Sequence, residues 1–270
     1  MMTYIMSILE KSQVYTQMNK IIYISNEKVF GCTTLKDKSL PEQNNTALHV
    51  CINPEEVMKN RVHLSKELNM PLENWVLPWQ KHTNNMARIT SADKSKGAFD
   101  KDTSIMNVDA VYTTEANILI GVFTADCLGI LVIDETTPCL LAIHSGWKGT
   151  TLEITSKCIQ ELIDKNLIHP QSTKVYFSPS IQYDSLEVGM EVVEQMKKIK
   201  TDTTPFIRYM PNDKAYIDNQ GINVQMCKDL GIPEENIFPS KYDTKKELDT
   251  CFSYRNDKKT GEHFTFGYLK

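Results

Sequence analysis

The strongest pattern along the chain is a series of short apolar runs separated by turn-forming residues. WVLPWQ at 75–80, MARIT at 86–90, DAVYTT at 109–114, ILIGVF at 118–123, GILVID at 129–134 and CLLAIH at 139–144 each read as a strand. Several are continuously apolar instead of alternating, which is the pattern of strands covered on both faces. Upstream, IIYIS at 21–25 is a further strand, and the polar stretch from Thr33 to Asn45 reads as a mobile loop. Asn53-Pro54-Glu55-Glu56 then opens a helix that runs to about Asn69, with an N-cap, a proline at the first helical position and two acids at the positive end of the dipole. Val57, Arg61, Leu64 and Leu68 share one face of it, so Arg61 either reaches past the apolar stripe to solvent or points its guanidinium into a cleft.

After His144 the chain passes through Ser145-Gly146-Trp147-Lys148-Gly149-Thr150 and enters a helix expected over 151–165. A strand at 174–178, helices at 188–199 and 218–230, and closing strands at 236–239, 251–254 and 264–268 complete the expectation. Hairpin-like strand pairs precede the helices, so a mixed α+β fold with a large mixed β-sheet or a layered α-β-β-α core fits better than a regular βαβ winding. No repeat, low-complexity tract or linker divides the chain. It is read as one domain over 1–270, with 1–20 as a loose N-terminal extension.

Composition narrows the class without naming it. The 270 residues are 41% hydrophobic and 24% charged, in the range of soluble globular chains. Thirty Lys and Arg against 34 Asp and Glu give a net charge of −4, too mild an imbalance to attract a polyanion, so nucleic acid is not expected as a partner. No window approaches the roughly 18 consecutive apolar residues of a spanning helix, and MMTYIMSILEKSQVY lacks the basic start of a signal peptide, so no membrane association is expected. The seven cysteines include no CxxC pair and read mostly as small buried hydrophobes in a reducing compartment, the cytoplasm.

Three segments place polar residues of catalytic type at strand ends: Trp79-Gln80-Lys81-His82, Thr124-Ala125-Asp126-Cys127, and Ile143 to Thr150. Cys127 and His144 lie 17 residues apart, on strands joined by a turn around Glu135 to Pro138. An antiparallel hairpin of that length brings them together. Such a pair is either part of a metal site completed by a third ligand or a Cys nucleophile with a His base. The helix entry at Gly149-Thr150, with Lys148 beside it, offers N–H groups to a phosphate or carboxylate. Trp147 is placed to stack on a purine or to serve the core.

These residues, together with Asn60-Arg61, Asp109-Ala110, Ser178-Pro179-Ser180-Ile181 and Phe252-Ser253-Tyr254-Arg255, give the chain a resemblance to the YfiH/YlmD-type family from about Phe30 to Leu269. Its members are called multicopper polyphenol oxidases or laccase-domain proteins, and also purine nucleoside phosphorylases. The resemblance implies a single domain that binds one metal through His82, Cys127 and His144. Two imidazoles and a thiolate suit Zn2+, with Cu2+ as the alternative. It implies phosphorolysis of adenosine, inosine, guanosine or methylthioadenosine, and adenosine deamination with Asp126 as proton carrier.

Arg61, Lys148 and Arg255 become the candidates for binding substrate or phosphate. The expected partners are therefore a purine nucleoside and phosphate, with the chain acting as a monomer or a homodimer. A metal-free Cys–His hydrolase or amidase, including one that edits peptidoglycan precursors, is the alternative, and copper-dependent phenol oxidation comes third because 6 histidines supply a multicopper centre badly. The chain departs from the family pattern where many members carry Arg: Leu35, Lys148 and Glu262 stand there instead.

Overall fold

The computed structural model describes residues 15–17 and 19–270. Two six-stranded sheets stack face to face. The first combines β1 (Tyr15–Gln17), β2 (Lys20–Ser25), β3 (Val29–Thr34), β4 (Trp75–Val76), β9 (Leu119–Thr124) and β17 (His263–Leu269), in the order β1-β2-β3-β17-β9-β4. The second combines β6 (Met86–Arg88), β8 (Ala110–Thr113), β10 (Leu128–Asp134), β11 (Cys139–Ser145), β12 (Lys174–Phe177) and β16 (Ile237–Phe238), in the order β16-β12-β10-β11-β8-β6. A small sheet of β13 (Glu187–Gly189), β14 (Ile207–Met210) and β15 (Lys214–Ile217) packs to one side, and β5 (Pro78–Trp79) pairs with β7 (Ile105–Met106). The helices are α1 (Pro54–Leu68), α2 (Trp147–Thr151), α3 (Ile154–Asp164), α4 (Met190–Met196) and α5 (Asn219–Asp229).

Side-chain alternation explains the layering. Along β10 and β11, Leu131, Ile133, Leu140 and Ala142 face the first sheet. Ile130, Val132, Leu141 and Ile143 face Ile154, Ile159 and Leu162 of α3. On β9 and β17, Phe123, Phe264 and Phe266 turn the other way, toward Leu64 of α1 and Trp75. The order is thus α1, sheet, sheet, then α3 with α5, the layered mixed α/β core expected. Strands buried on both faces explain why the runs at 118–123, 129–134 and 139–144 are continuously apolar.

Several local expectations are corrected. Thr33 and Thr34 finish β3, and Leu35, Asn44 and Asn45 are buried, so the Thr33–Asn45 stretch is not a mobile loop at its ends. Asn44 Nδ2 donates to the Leu35 carbonyl at 2.7 Å and Asn45 Nδ2 to that of Val50 at 2.6 Å, replacing the missing ladder. Pro78 lies where the 75–80 run divides into β4 and β5. The helix expected over 188–199 begins at Met190, because 187–189 pair with 214–216 as β13. The helix expected over 151–165 starts earlier, at Trp147, and breaks at Glu153, whose φ is 55°. The hairpin β14–β15 was not legible, since Arg208, Tyr209 and Met210 are all exposed.

Of residues 1–20, read as an extension, Tyr15–Gln17 form an edge strand on Lys20–Ile22; residues 1–14, which carry the leader reading, lie outside the described residues. No helix among the described residues is long and apolar enough to cross a membrane.

The segment 251–254 is not a strand. Cys251, Phe252 and Ser253 are nonetheless buried, and part of the reason is His263, at the start of β17. Its Nδ1–H donates to the Thr34 carbonyl at 2.8 Å and its Nε2 accepts from the Phe252 N–H at 3.0 Å. Burial pulls this imidazole down to about 4, against smaller opposing effects of the Thr34 carbonyl, Asp126 and Glu262. The unfolded chain therefore takes up a proton near 6.5 that the folded chain refuses until about 4. Stability is present above that window and is lost as pH falls through it, by about 3 kcal/mol. Urea unfolding between pH 7 and 4.5 checks this: the decline should flatten in His263→Gln, and an unchanged decline would remove His263 as its source.

Candidate metal centre

The β10–β11 hairpin delivers the first two candidate ligands. Its register pairs Leu128 with Ser145 and Asp134 with Cys139, so Cys127 and Gly146 are the next residues beyond the ladder. His144 sits one position inside it, buried, on the side of the strand that faces the first sheet. The third ligand arrives on the segment after β5. Gln80 clamps that segment to β9, donating from Nε2 to the Phe123 carbonyl and accepting the Phe123 N–H at Oε1, both at 2.8 Å. His82 follows with φ of 57°, a left-handed conformation rare outside Gly, Asn, Asp and His.

Donor atoms of His82, Cys127 and His144 all lie within 4.8 Å of one another. The two imidazole rings meet edge to face, 4.7 Å between centroids. Room for the sulfur depends on Gly146: a Cβ there would lie 2.6 Å from Cys127 Sγ and 3.4 Å from His82 Cδ2.

Asp109 organises the trio and was quoted in the sequence only as part of a resemblance. It is wholly buried. Oδ1 accepts from His144 Nδ1 at 2.8 Å and from the His82 N–H at 2.9 Å. Oδ2 accepts from the Thr83 N–H at 2.6 Å and its hydroxyl at 2.7 Å. Because Nδ1–H of His144 is committed to a carboxylate, its Nε2 lone pair is left for a ligand role, the arrangement typical of metal-bound histidine. Burial opposes the charge on Asp109, but the His144 and Thr83 contacts outweigh it and hold the carboxyl well below its ordinary range. Burial likewise pushes the Cys127 thiol up, yet hydrogen bonds from His144 and His82 bring it down to about 7. His144 is pulled down by burial and raised, on balance, to about 10 by Asp109 and Cys127. A readily ionised thiol with two convergent imidazoles fits a borderline-soft divalent ion.

His82 and Cys127 line a cavity of about 280 Å3. Trp147, Ile181 and Leu186 supply its apolar wall; Asp126, Asn219, Tyr254, Arg255 and Lys258 supply the polar one. Asn223 fixes this end of the hairpin, its Oδ1 accepting from the hydroxyls of Ser145 at 3.1 Å and Thr155 at 2.7 Å while Nδ2 donates to Thr150 Oγ1 at 2.9 Å.

The structure sorts the residues expected to bind substrate. Arg255 lines the cavity, and Lys258, which no motif indicated, stands with it, its ammonium 3.9 Å from the centre of the Tyr254 ring. Arg61 is not brought to the cavity. It is buried, and its guanidinium donates to the carbonyls of Thr46, Gly97 and Ala98, each at 2.7 Å. Lys148 is exposed beside the Trp147 ring and is not part of the cavity wall. At the expected anion cradle, Gly149-Thr150, the helix starts two residues earlier, the Thr150 N–H already donates to Gly146 at 2.9 Å, and neither residue lines the cavity. Asp126 lines the cavity, but both its carboxylate oxygens are engaged by other protein groups. Glu262 pairs with His49 at 2.9 Å.

The profile of the multi-copper polyphenol oxidoreductase laccase family matches residues 33–270. The chain belongs to this family. Among its relatives, a purine nucleoside phosphorylase, YlmD, of Bacillus subtilis is 27% identical over 251 residues, covering 91% of this chain and 90% of that protein. A purine nucleoside phosphorylase of Staphylococcus saprophyticus is 28% identical over 244 residues, covering 87% and 90%. The crystal structure of YlmD from Geobacillus stearothermophilus superposes with a TM-score of 0.88 at 25% identity, covering 95% of this chain and 98% of that one. That of the hypothetical protein YfiH of Bacillus licheniformis gives the same score and identity over 93% and 97%. Membership in this family supports an enzyme with a small-molecule substrate and a metal, in agreement with the trio.

Proposed function

We propose that this laccase-family chain is a zinc-dependent purine nucleoside phosphorylase. The observation that carries the reading is one His2Cys donor set, two members of which, His82 and Cys127, line the same cavity as Arg255 and Lys258. His82, Cys127 and His144 would hold the ion. When bound, it would supply Lewis acidity beside the cavity.

The protein's own groups supply the rest. Trp147, half-buried on the apolar wall, offers an aromatic face to a purine. Arg255 and Lys258 offer cationic donors to inorganic phosphate. In phosphorolysis a phosphate oxygen forms a bond to C1′ of the ribose and the C1′–N9 bond breaks. The purine leaves with that electron pair and takes up the proton the phosphate gives up. Ile181 and Leu186 keep this side of the cavity apolar, which strengthens the charge contacts within it.

The remaining four histidines favour a single metal centre over a multicopper one: His49 pairs with Glu262, His169 with Asp134, His263 is spent on Thr34 and Phe252, and His63 is exposed on α1. Seven free cysteines fit a reducing cytoplasm. The test is elemental analysis of the purified protein, then adenosine and inosine incubated with and without phosphate. Phosphate-dependent ribose 1-phosphate is expected. Inosine formed from adenosine without phosphate would assign deamination instead, and turnover of neither nucleoside would sink the proposal.

The Cys127–His144 contact favours one other reading, a metal-free hydrolase with Cys127 as nucleophile and His144 as base, since the thiol is drawn down to about 7. His82 separates the two. In the zinc enzyme His82→Ala should lower bound metal and kcat/KM together, by about 100-fold or more. A variant that loses metal yet keeps its turnover supports the hydrolase.

A further inference from the structure

Asp126 immediately precedes a candidate ligand, but its carboxylate points away from proton transfer. Oδ1 accepts from Thr244 Oγ1 at 2.6 Å and Ser253 Oγ at 2.8 Å, and Oδ2 accepts from the Arg255 N–H at 2.6 Å. Its own carbonyl accepts from the Ile181 N–H at 2.9 Å. Thr244 and Ser253 are buried, so the two hydroxyl contacts are part-buried, while the contact to the Arg255 N–H is exposed. The residue adopts φ of 80°, a left-handed conformation that Asp is among the few L residues to tolerate. One side chain therefore ties the turn that carries Cys127 to the turn that carries Arg255 and Lys258. That second turn has no ladder of its own, as 251–254 form no strand.

We propose that Asp126 is a positioning residue: it holds the Arg255–Lys258 turn at a set distance from the His82–Cys127–His144 trio, and so defines where the substrate's anionic group sits relative to the metal centre. The inference rests on the phosphorylase reading, with inorganic phosphate as the anion. It differs from a proton-carrying Asp126 in a way that substitutions can read. In Asp126→Asn the amide can be oriented with its oxygen toward the Arg255 N–H and its nitrogen toward the two hydroxyl oxygens, keeping all three contacts without an ionisable group. Asp126→Ala loses all three.

Steady-state kinetics with phosphate and inosine varied separately tests this, with bound metal measured on each variant. Expected is a rise in KM for phosphate of about tenfold in Asp126→Ala, with KM for inosine and metal content much less affected, and rescue to within about threefold by Asp126→Asn. Ser253→Ala and Thr244→Val, each removing one donor, should shift KM for phosphate in the same direction by less. They keep the test sharp if Asp126→Ala does not fold. Equal loss of kcat in the Ala and Asn variants, with KM for phosphate unchanged, would overturn the inference alone. Absence of phosphate-dependent turnover in the wild-type protein would overturn the phosphorylase reading and this inference with it.

Discussion

Asp109→Ala is expected to lower metal affinity by about 10- to 100-fold and to destabilise the fold by about 3–5 kcal/mol. Both effects follow from one carboxylate. With it removed, the buried Nδ1–H of His144 and the part-buried N–H groups of His82 and Thr83 lose their acceptor. Leaving such donors unpaired costs more than the lost bonds alone. His144 also loses the group that fixes its tautomer, so Nε2 is no longer committed to the ligand role. The segment 81–83 loses what holds His82 in its left-handed conformation. Chelator competition for bound metal and urea midpoints on the same preparations check the two halves separately. Full metal retention in a destabilised variant would reduce Asp109 to a structural residue.

Gly146→Ala should remove most activity, by about 100-fold or more, at a much smaller loss of overall stability. The added methyl would overlap Cys127 Sγ at 2.6 Å. Neither partner can retreat cheaply: the ladder pairs Leu128 with Ser145 one residue inward on both strands, and Cys127 has only its χ1 rotation to offer. The sulfur is expected to swing out of reach of the two imidazoles. Bound metal per chain, read with far-UV circular dichroism as the fold control, decides it. A variant that keeps a full complement of metal would show that the trio tolerates a wider spacing than the structure indicates.

Much of this architecture is written in the local sequence. The continuous apolar runs identified β9, β10 and β11, and Asn53-Pro54 located the start of α1. The 17-residue interval between Cys127 and His144 was enough to predict that the hairpin returns one to the other, because antiparallel register is a short-range property of two strands and their turn. His82 joined them only through resemblance to known sequences. Residues whose role depends on distant partners were misplaced or passed over. Arg61 carries the same residue type whether it binds phosphate or, as here, satisfies three carbonyls from 46, 97 and 98. Lys258 carried no signal of its function, and Asp109 and Gly146 entered only as members of quoted motifs.

The division has a physical cause. Periodicity, caps and turns act over a few residues, so the sequence alone specified the elements, their apolar faces and the Cys127–His144 hairpin. Convergence of segments 80–83, 109, 126–127, 144–147 and 253–258 on one cavity depends on how two sheets stack and which loops the stack presses together. Only the tertiary structure could decide that Asp109 orients the ligand trio, that Asp126 joins it to the basic turn, and that Arg61 belongs to the core.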